Sequence, residues 1–418
     1  MDWSLLAILG TALALRLFTV LDWNHWMPDT AAQLRGDEPG YANTAREILT
    51  GKGYTWPGRV PLYPATLALL FWLTGESYLW VRILQCGLSI ATVLATYVLG
   101  RKLFGQRSGQ LAALAVALTF PLVRQPAMIM SEVLYTPMLL VIGILAVNAF
   151  QSPNIALRFA LLGACVGISN LIRPTLLLFP IAVVIGLLAT DRRVALRSSL
   201  SFTFAMLLTL LPWFVFTHMK FRAILPLQTS NAFLWQGSPE YFRLMRDRGY
   251  TYQRIWGEIL YAQNSRTPDP TSVEGDRYWT RRALASIGSE PLTYLRFALE
   301  KTATYWIGDP SADWGNKSVF SYSGLRFDGY SPSSALKVLT SRLIPILTLG
   351  GIVLLWRKRR MLCPLYMILV FTTVFHAATH AEVRLSEPFY PFLLVILGGA
   401  ADLVLHKWTE ATPEPKNT

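Results

Sequence analysis

The stretch LWVRILQCGLSIATVLATYVL, residues 79–99, decides the fold class of this chain. It runs for 21 residues with one charge, Arg82, near its start, and about 20 apolar residues are what an α-helix needs to cross a bilayer. Arg101 and Lys102 follow directly, as basic residues do on the cytoplasmic side of a span. The stretch therefore predicts a transmembrane helix whose Arg82 end faces outward.

The rest of the chain has the same apolar character. Of 418 residues, 53% are hydrophobic and 15% charged, whereas a soluble domain usually has about 25% charged residues. The mean hydropathy is +0.37. Ten apolar runs are long enough to span a membrane, namely 5–21, 79–99, 109–123, 133–150, 157–171, 175–189, 200–217, 338–356, 362–378 and 388–405. The sequence predicts an all-α polytopic membrane protein with about ten transmembrane helices, and a shorter run, 61–74, predicts an interfacial helix.

The net charge of +13 would suggest nucleic acid as a partner of a soluble protein. Here no basic patch interleaved with aromatic residues and no zinc-knuckle spacing occurs, so we expect membrane lipids and not nucleic acid around this chain. The three cysteines, Cys86, Cys165 and Cys363, lie in or beside apolar runs and are typical of small core residues.

The distribution of charge predicts the orientation. With the N-terminus inside, the predicted cytoplasmic loops hold one acid, Asp191, and eleven basic residues, namely Arg101, Lys102, Arg107, Arg158, Arg192, Arg193, Arg197, Arg357, Lys358, Arg359 and Arg360. The first run lacks a cleavage site, so we expect a retained span and both termini in the cytoplasm. Residues 1–418 are then one membrane-embedded domain with two long outer loops, 22–78 and 220–335. Within the second loop, we expect two amphipathic helices between Gly275 and Gly308, with Pro291 at the start of one of them.

The first outer loop contains the adjacent acids Asp37 and Glu38, in the sequence GDEPGY. Apolar residues at helical spacing follow, so the pair is predicted to lie at the start of a surface helix. Solvated loop acids would explain the pair equally well. As a candidate catalytic group, a carboxylate here could act as general base toward an acceptor hydroxyl, an effect worth roughly 10²- to 10⁴-fold in rate.

A third acid, Glu132, opens the fourth predicted span on the same side. Ser131 before it is a favourable N-cap, and an acid in the first turn complements the helix dipole, so Glu132 has a purely structural interpretation. The alternative is that Glu132 supplies a further carboxylate to the same pocket.

Three arginines border the outer face at span ends: Arg82, Arg173 and Arg384. A single arginine at such a place commonly reaches toward lipid headgroups. Three of them beside two carboxylates favour a phosphate clamp, because the planar guanidinium binds phosphate oxygens in a bidentate manner. His376 and His380 are spaced so that they could share a helix face and hold a divalent metal, although two ligands do not make a site and no cofactor is certain.

Several segments together resemble the GT-C class of membrane glycosyltransferases, and in particular the bacterial relatives of protein O-mannosyltransferases and of the aminoarabinose transferase that acts on lipid A. These are GDEPGYANTAREILTGKGY at 36–54, RVPLYPATLALLFWLTGES at 59–77, VRILQCGLSIATVLATYVLGRKLFG at 81–105, MSEVLYTP at 130–137, GISNLIRPTLLLFP at 167–180 and RLSEPFYPFLLVILGG at 384–399. They cover the first 190 or so residues and the last span.

The resemblance implies an enzyme that moves a hexose or pentose from a polyprenyl-phosphate carrier to an envelope acceptor on the outer face of a membrane, in a bacterium the plasma membrane. It maps the active-site acid to Asp37, the lipid-phosphate contact to Arg82 and a further acid to Glu132. Attack from the face opposite the phosphate would invert the anomeric centre. We expect neither the C-terminal soluble domain of the aminoarabinose transferases nor the inserted β-rich domain of the eukaryotic protein mannosyltransferases, which leaves the acceptor open between lipid, polysaccharide and protein.

A transporter or flippase of lipid-linked sugars is the alternative function. It would use similar basic residues at the interface but would place charges deep in several spans and show pseudo-symmetric halves. Nearly all charges here lie at span ends, which favours an enzyme that works at one face.

Overall fold

A computed structural model describes residues 2–26, 29–151, 155–190, 192–225, 232–248, 252–260, 268–308, 320–321, 324–325 and 332–411. The described chain is helical almost throughout. Its helices are α1 (Trp3–Trp26), α2 (Glu38–Leu49), α3 (Leu62–Thr74), α4 (Tyr78–Phe104), α5 (Gln106–Leu118), α6 (Phe120–Arg124), α7 (Glu132–Phe150), α8 (Ile155–Ile172), α9 (Phe179–Thr190), α10 (Arg192–Phe221), α11 (Phe233–Gln236), α12 (Pro239–Arg246), α13 (Tyr252–Ile255), α14 (Val273–Ser289), α15 (Pro291–Ile307), α16 (Pro332–Leu354), α17 (Arg359–Ala378) and α18 (Tyr390–Ala411).

Short elements connect these helices. Six 3₁₀ turns lie at Ala31–Gln33, Gln125–Ala127, Pro174–Leu176, Trp356–Lys358, Val383–Leu385 and Glu387–Phe389, and a π-helical turn lies at Trp256–Leu260. Two strands of two residues each, β1 (Phe320–Ser321) and β2 (Gly324–Leu325), pair antiparallel with Phe320 opposite Leu325.

The predicted all-α membrane fold is confirmed. A helix lies within each of the ten predicted spans. Six helices of the described chain are long and apolar enough to cross a membrane: Trp3–Asp22, Tyr78–Phe104, Glu132–Phe150, Val194–Phe221, Trp356–Ala378 and Val383–Lys407. Shorter apolar helices occupy Leu62–Thr74, Ala156–Ile172, Phe179–Thr190 and Arg342–Leu354. The chain is therefore an integral membrane protein.

The third predicted span is broken into α5 and α6, and the break has a definite cause. Pro121 has no N–H to give to the carbonyl of Ala117, so the helix cannot continue through it. The freed carbonyls find another donor in the first helix. Arg16, fully buried in α1, donates from Nη1 to the Ala117 oxygen at 3.2 Å and from Nη2 to the Val116 oxygen at 3.4 Å. A charged side chain thus replaces the missing helical hydrogen bonds.

The helices α8 and α10 approach each other closely at two glycines. Gly163 and Gly167 are one turn apart on α8, and a Cβ atom at Gly163 would collide with the carbonyl of Phe202. At Gly167 a Cβ atom would come within 2.7 Å of the Thr209 Cβ. Small residues four apart allow two backbones to approach in this way, which favours helix association in lipid.

The helices α11 to α15 form a separate cluster with its own core. Trp235 and Trp279 are fully buried there and their rings lie 4.6 Å apart, with Phe242 and Phe297 beside them. We call residues 233–307 the α11–α15 cluster. The prediction of two helices between Gly275 and Gly308 is confirmed, and Pro291 is the first residue of α15. The loop predicted at 220–335 falls in part outside the described residues.

Candidate active site

Asp37 lies at the N-terminus of α2, as the sequence predicted, but its carboxylate does not cap the helix. It forms ion pairs instead with two arginines that are far apart in the sequence. Arg59 Nη2 donates to Oδ1 at 2.7 Å, and Arg384 Nη1 lies 3.2 Å from Oδ2. The Asp37 side chain is 33% exposed, so a substrate could reach it. One carboxylate held between two guanidinium groups is the centre of the candidate site.

The electrostatic surroundings keep Asp37 ionised. Burial by itself would raise the pKa of this carboxyl group, but the positive charges of Arg59 and Arg384 outweigh that effect. The pKa of Asp37 therefore lies below its ordinary value, and Arg173 contributes to the lowering. At neutral pH the site holds a carboxylate ready to accept a hydrogen bond.

Arg59 is a site residue that the sequence analysis did not single out. It follows the Trp56-Pro57-Gly58 turn, and its guanidinium lies 4.9 Å from the ring centre of Tyr41 and 5.1 Å from that of Trp56. Such cation–π contacts fix the plane of the guanidinium. In the sequence Arg59 was one of four bases in a mixed loop, and only its position in a tryptophan-containing turn could have marked it.

Arg384, which was predicted, is held by an acid that was not. Glu382 accepts from Arg384 Nε at 2.7 Å through Oε2, and its Oε1 lies 2.6 Å from His380 Nε2. Burial opposes ionisation of Glu382, yet Arg384 and His380 hold the pKa of this carboxyl group well below its usual range. The chain His380–Glu382–Arg384 ends on Asp37. The available sequence signal was an acid that lies two residues after a histidine and two residues before an arginine.

Glu132 and Arg173, both predicted, form a second ion pair of 2.5 Å next to the first group. Glu132 lies in the first turn of α7, as its structural interpretation required, but the Ser131 side chain before it makes no capping hydrogen bond. Its hydroxyl lies 3.1 Å from the hydroxyl of Tyr41 instead. Since the Tyr41 ring also contacts Arg59, Tyr41 joins the two ion-paired groups.

Glu38 lies next to Asp37 but in a different environment. Its side chain is buried, and each carboxylate oxygen accepts from a backbone N–H group, Ile129 at 2.7 Å and Arg35 at 2.8 Å. Burial raises the pKa of Glu38. These contacts fix the start of α2 to the segment before α7. Glu38 is therefore not a solvated loop acid, and its catalytic role stays a prediction.

Arg82 was predicted to contact a lipid phosphate, and the structure places it inside the protein. It is fully buried, and it donates from Nε to the Ala127 carbonyl at 2.8 Å and from Nη1 to Gln33 Oε1 at 2.7 Å. Only Nη2 has no hydrogen-bond partner in the described part of the chain. Arg82 therefore holds the first loop to the segment between α6 and α7. The guanidinium groups beside Asp37 are those of Arg59 and Arg384, and the contact of Arg82 with a lipid phosphate stays a prediction.

The two histidines do not share a helix face, because α17 ends at Ala378 and His380 lies beyond it. The Nδ1 atom of His376 is 2.9 Å from the His380 carbonyl, and its ring stacks on Tyr305 at 4.7 Å. Among the described residues no group of three or more His, Cys, Asp or Glu side chains is placed to hold a metal ion. The interpretation that both histidines share one helix face is therefore wrong, because only His376 lies on α17.

The site residues come together at one end of the bundle. The helices α4 and α7 begin there, at Tyr78 and Glu132, and α8 and α17 end there. The opposite ends of α4 and α17 hold Arg101, Lys102, Arg359 and Arg360. The acidic and basic site residues thus lie away from the strongly basic end of the molecule.

Comparison with known proteins gives the class of this architecture. A family model described as dolichyl-phosphate-mannose-protein mannosyltransferase matches residues 57–217. Two structures of the Archaeoglobus fulgidus oligosaccharyltransferase share the fold. One is AglB in complex with an inhibitory peptide and a dolichol-phosphate, with a TM-score of 0.54 and 14% identity over 100% of this chain and 52% of that one. The other, tethered to an acceptor peptide, has a TM-score of 0.56 and 16% identity over 97% and 50%.

A structure of ArnT from Cupriavidus metallidurans bound to undecaprenyl phosphate aligns with a TM-score of 0.44 and 15% identity, over 98% of this chain and 81% of that one. No functionally curated protein matches the sequence significantly. The chain spans about half the length of the archaeal structures that it matches. The predicted resemblance to GT-C class membrane glycosyltransferases is confirmed, and nothing in these comparisons supports the transporter alternative.

Proposed function

We propose that this protein transfers a sugar from a polyprenyl-phosphate carrier to an acceptor in the cell envelope. The observation that supports the proposal is Asp37, an ionised and partly exposed carboxylate held between Arg59 and Arg384. It occurs on a fold shared with an oligosaccharyltransferase whose structure contains dolichol-phosphate. Such a site provides both things that the reaction needs, an acceptor for a proton and cations for a phosphate.

The transfer breaks the bond between the sugar C1 and a phosphate oxygen and forms a bond from C1 to an acceptor oxygen or nitrogen. The electron pair of the broken bond leaves on the phosphate, which is already a good leaving group and needs no general acid. Arg59 and Arg384 are placed to stabilise the charge that grows on it. Arg173 adds positive charge nearby, although Glu132 is its direct partner. The proton of the acceptor passes to Asp37.

The lowered pKa of Asp37 bears on how it acts. A weakly basic carboxylate does not remove a hydroxyl proton before attack, so Asp37 orients the acceptor and takes the proton as the new bond forms. With the phosphate on the opposite side of the sugar ring, the displacement inverts C1. We expect a hexosyl or pentosyl donor; the acceptor is a lipid, a polysaccharide or a protein.

We further propose that residues 1–418 form one catalytic domain in a bacterial plasma membrane, with the site facing outward. The loops 22–78 and 220–335 then lie on the outer side. The basic residues at the far ends of α4 and α17 support this orientation, because positive charge favours the cytoplasmic side. The α11–α15 cluster lies beside the site and is our candidate for part of the acceptor-binding surface.

The test uses the full chain, purified in detergent and given polyprenyl-phosphate sugars labelled in the sugar. We expect label in an envelope acceptor fraction and release of free polyprenyl phosphate in equal amount. The chain in which Asp37 is replaced by Asn is the matched control. The same chain is also reconstituted into lipid vesicles, where movement of labelled lipid across the bilayer with no glycosylated product would contradict the proposal and support a flippase.

A further inference from the structure

Lys301 is a buried lysine outside the group just described. It lies on α15 and is only 3% exposed. Its Nζ atom donates to the carbonyl of Thr379 at 2.6 Å and to that of Gly237 at 3.4 Å. The same atom lies 4.9 Å from the ring centre of Phe297. Among the described residues its partners are therefore two backbone carbonyl groups and an aromatic ring.

The two carbonyls belong to helix ends. Thr379 is the C-cap of α17 and Gly237 is the C-cap of α11. The last carbonyls of a helix have no partner within it and carry a partial negative charge, so a cation is favoured there. Burial lowers the pKa of Lys301 to about 7, and the neutral amine can still donate to Thr379. Lys301 thus donates to the C-terminal carbonyl groups of two helices that belong to different parts of the molecule.

Gly237 shows how tightly these parts meet. A Cβ atom there would lie 2.6 Å from the Thr379 oxygen, 2.7 Å from the Ala378 oxygen and 3.0 Å from Lys301 Nζ. Real Cβ atoms do not approach backbone oxygens so closely, so only glycine fits without movement. Tyr294 adds a further tie, because its hydroxyl donates to the Ala378 carbonyl at 2.8 Å.

The segment that these contacts hold leads directly into the candidate site. Thr379 precedes His380, whose ring stacks on Phe233 of α11 at 5.4 Å. From His380 the contacts run through Glu382 to Arg384 and from there to Asp37. The direction in which the chain leaves α17 therefore sets where Arg384 lies.

We propose that Lys301 is a positioning residue that fixes residues 379–384 against the α11–α15 cluster, so that Glu382 aligns Arg384 on Asp37. This inference deepens the proposed function and rests on it for its effect on catalysis. The order that Lys301 imposes on residues 379–384 does not depend on whether the chain transfers sugar. The two parts are tested separately.

The first measurement is amide hydrogen exchange by mass spectrometry on the full chain in detergent. Lys301→Met removes the donor and keeps most of the apolar stem. We expect at least tenfold faster exchange in peptides that cover residues 379–386, where the amides of Leu385 and Ser386 are hydrogen-bonded. Arg296→Met, on the exposed side of the same helix, is the control and should leave these peptides unchanged. Peptides from α4 report that the bundle is intact in each variant.

The second measurement is transfer kinetics on the same preparations. We expect Lys301→Met to lower kcat at least tenfold with the donor KM within about threefold, because Arg384 is displaced while the carrier still binds. Lys301→Arg keeps a long cationic donor and should restore a substantial part of kcat. If the methionine variant fails to fold, Tyr294→Phe removes a neighbouring tie and should give the same change in exchange on a smaller scale.

Exchange in residues 379–386 within twofold of the wild type in a folded Lys301→Met protein would overturn the proposal. A kcat that stays unchanged although exchange rises would overturn the positioning role. Faster exchange in a protein whose wild type transfers no sugar would instead overturn the proposed function and leave the ordering of this segment by Lys301 standing.

Discussion

Arg384 and Asp37 lie near opposite ends of the sequence and meet in a 3.2 Å ion pair. Arg384 follows the end of α17, and Asp37 precedes α2. The segment between α1 and α4 is thereby fastened to the last part of the bundle through the group that we propose reacts. Arg59 holds the other oxygen of the same carboxylate at 2.7 Å. The two guanidinium groups therefore fix the orientation of the Asp37 carboxylate.

Replacing Asp37 by Asn tests the proposed chemistry directly. The amide keeps the shape but cannot take a proton, so we expect transfer to fall by roughly 10²- to 10⁴-fold. Glu47→Gln, on the same helix, is the control and should keep wild-type kcat. Single-turnover assays with labelled donor give the rates, and thermal unfolding checks the fold. Wild-type transfer by the Asp37→Asn protein would rule this residue out.

Replacing Arg59 by Gln tests the charge balance. The positive charge of Arg59 lowers the pKa of Asp37, so its removal should raise that pKa. Because the ionised form is the active one, activity should be lost at a higher pH in Arg59→Gln than in the wild type as the solution is made acidic. Lys52→Gln, an exposed base in the same loop, is the control. The pH profile of kcat measures the shift, and superimposable acidic limbs would contradict the assignment.

Replacing Glu382 by Gln tests the chain from His380 to Arg384. The neutral amide has one acceptor oxygen where the carboxylate has two, so it cannot accept from both His380 and Arg384. A displacement of about 1 Å in a group that positions a substrate can cost roughly 10²-fold in rate. We expect a loss of about that size in kcat, with the protein still folded. Glu300→Gln, on α15 and paired within its own helix, is the control. Equal rates for the two variants would show that Arg384 is held without Glu382.

Replacing Glu38 by Gln separates the two adjacent acids. Each Glu38 oxygen accepts from a backbone N–H group, and hydrogen bonds to a charged group contribute about 1.5–3 kcal/mol each to stability. We expect a lower midpoint of thermal unfolding, while kcat for the folded fraction stays within a few-fold of the wild type. A large loss of kcat with an unchanged midpoint would return Glu38 to the catalytic group.

The helices and the position of Asp37 follow from the sequence because apolar length and local spacing determine them. The pairings do not, because a charge in a loop looks the same whether water or another charge surrounds it. Arg59 and Glu382 were missed for that reason. Adjacent residues such as Asp37 and Glu38 can also face opposite ways at a helix start, which depends on what packs against α2.

The position at which α17 ends could not be predicted from local spacing. Local spacing favoured a helix through His376 and His380, but the helix stops at Ala378. The carbonyl groups of Ala378 and Thr379 at this helix end accept hydrogen bonds from Tyr294 and Lys301, which both lie on α15. Tertiary contacts thus override a local preference, and the two histidines receive separate partners.

The contact of Arg16 with the end of α5 has a consequence for biosynthesis. An arginine in the middle of a helix costs roughly 2.5–3.5 kcal/mol on membrane insertion, and its carbonyl partners at Val116 and Ala117 are made about a hundred residues later. The first helix is therefore poorly satisfied in lipid when it leaves the ribosome. Arg16 also donates from Nε to the Ser89 hydroxyl of α4 at 2.6 Å. We therefore expect α1 to integrate stably only together with α4 and α5.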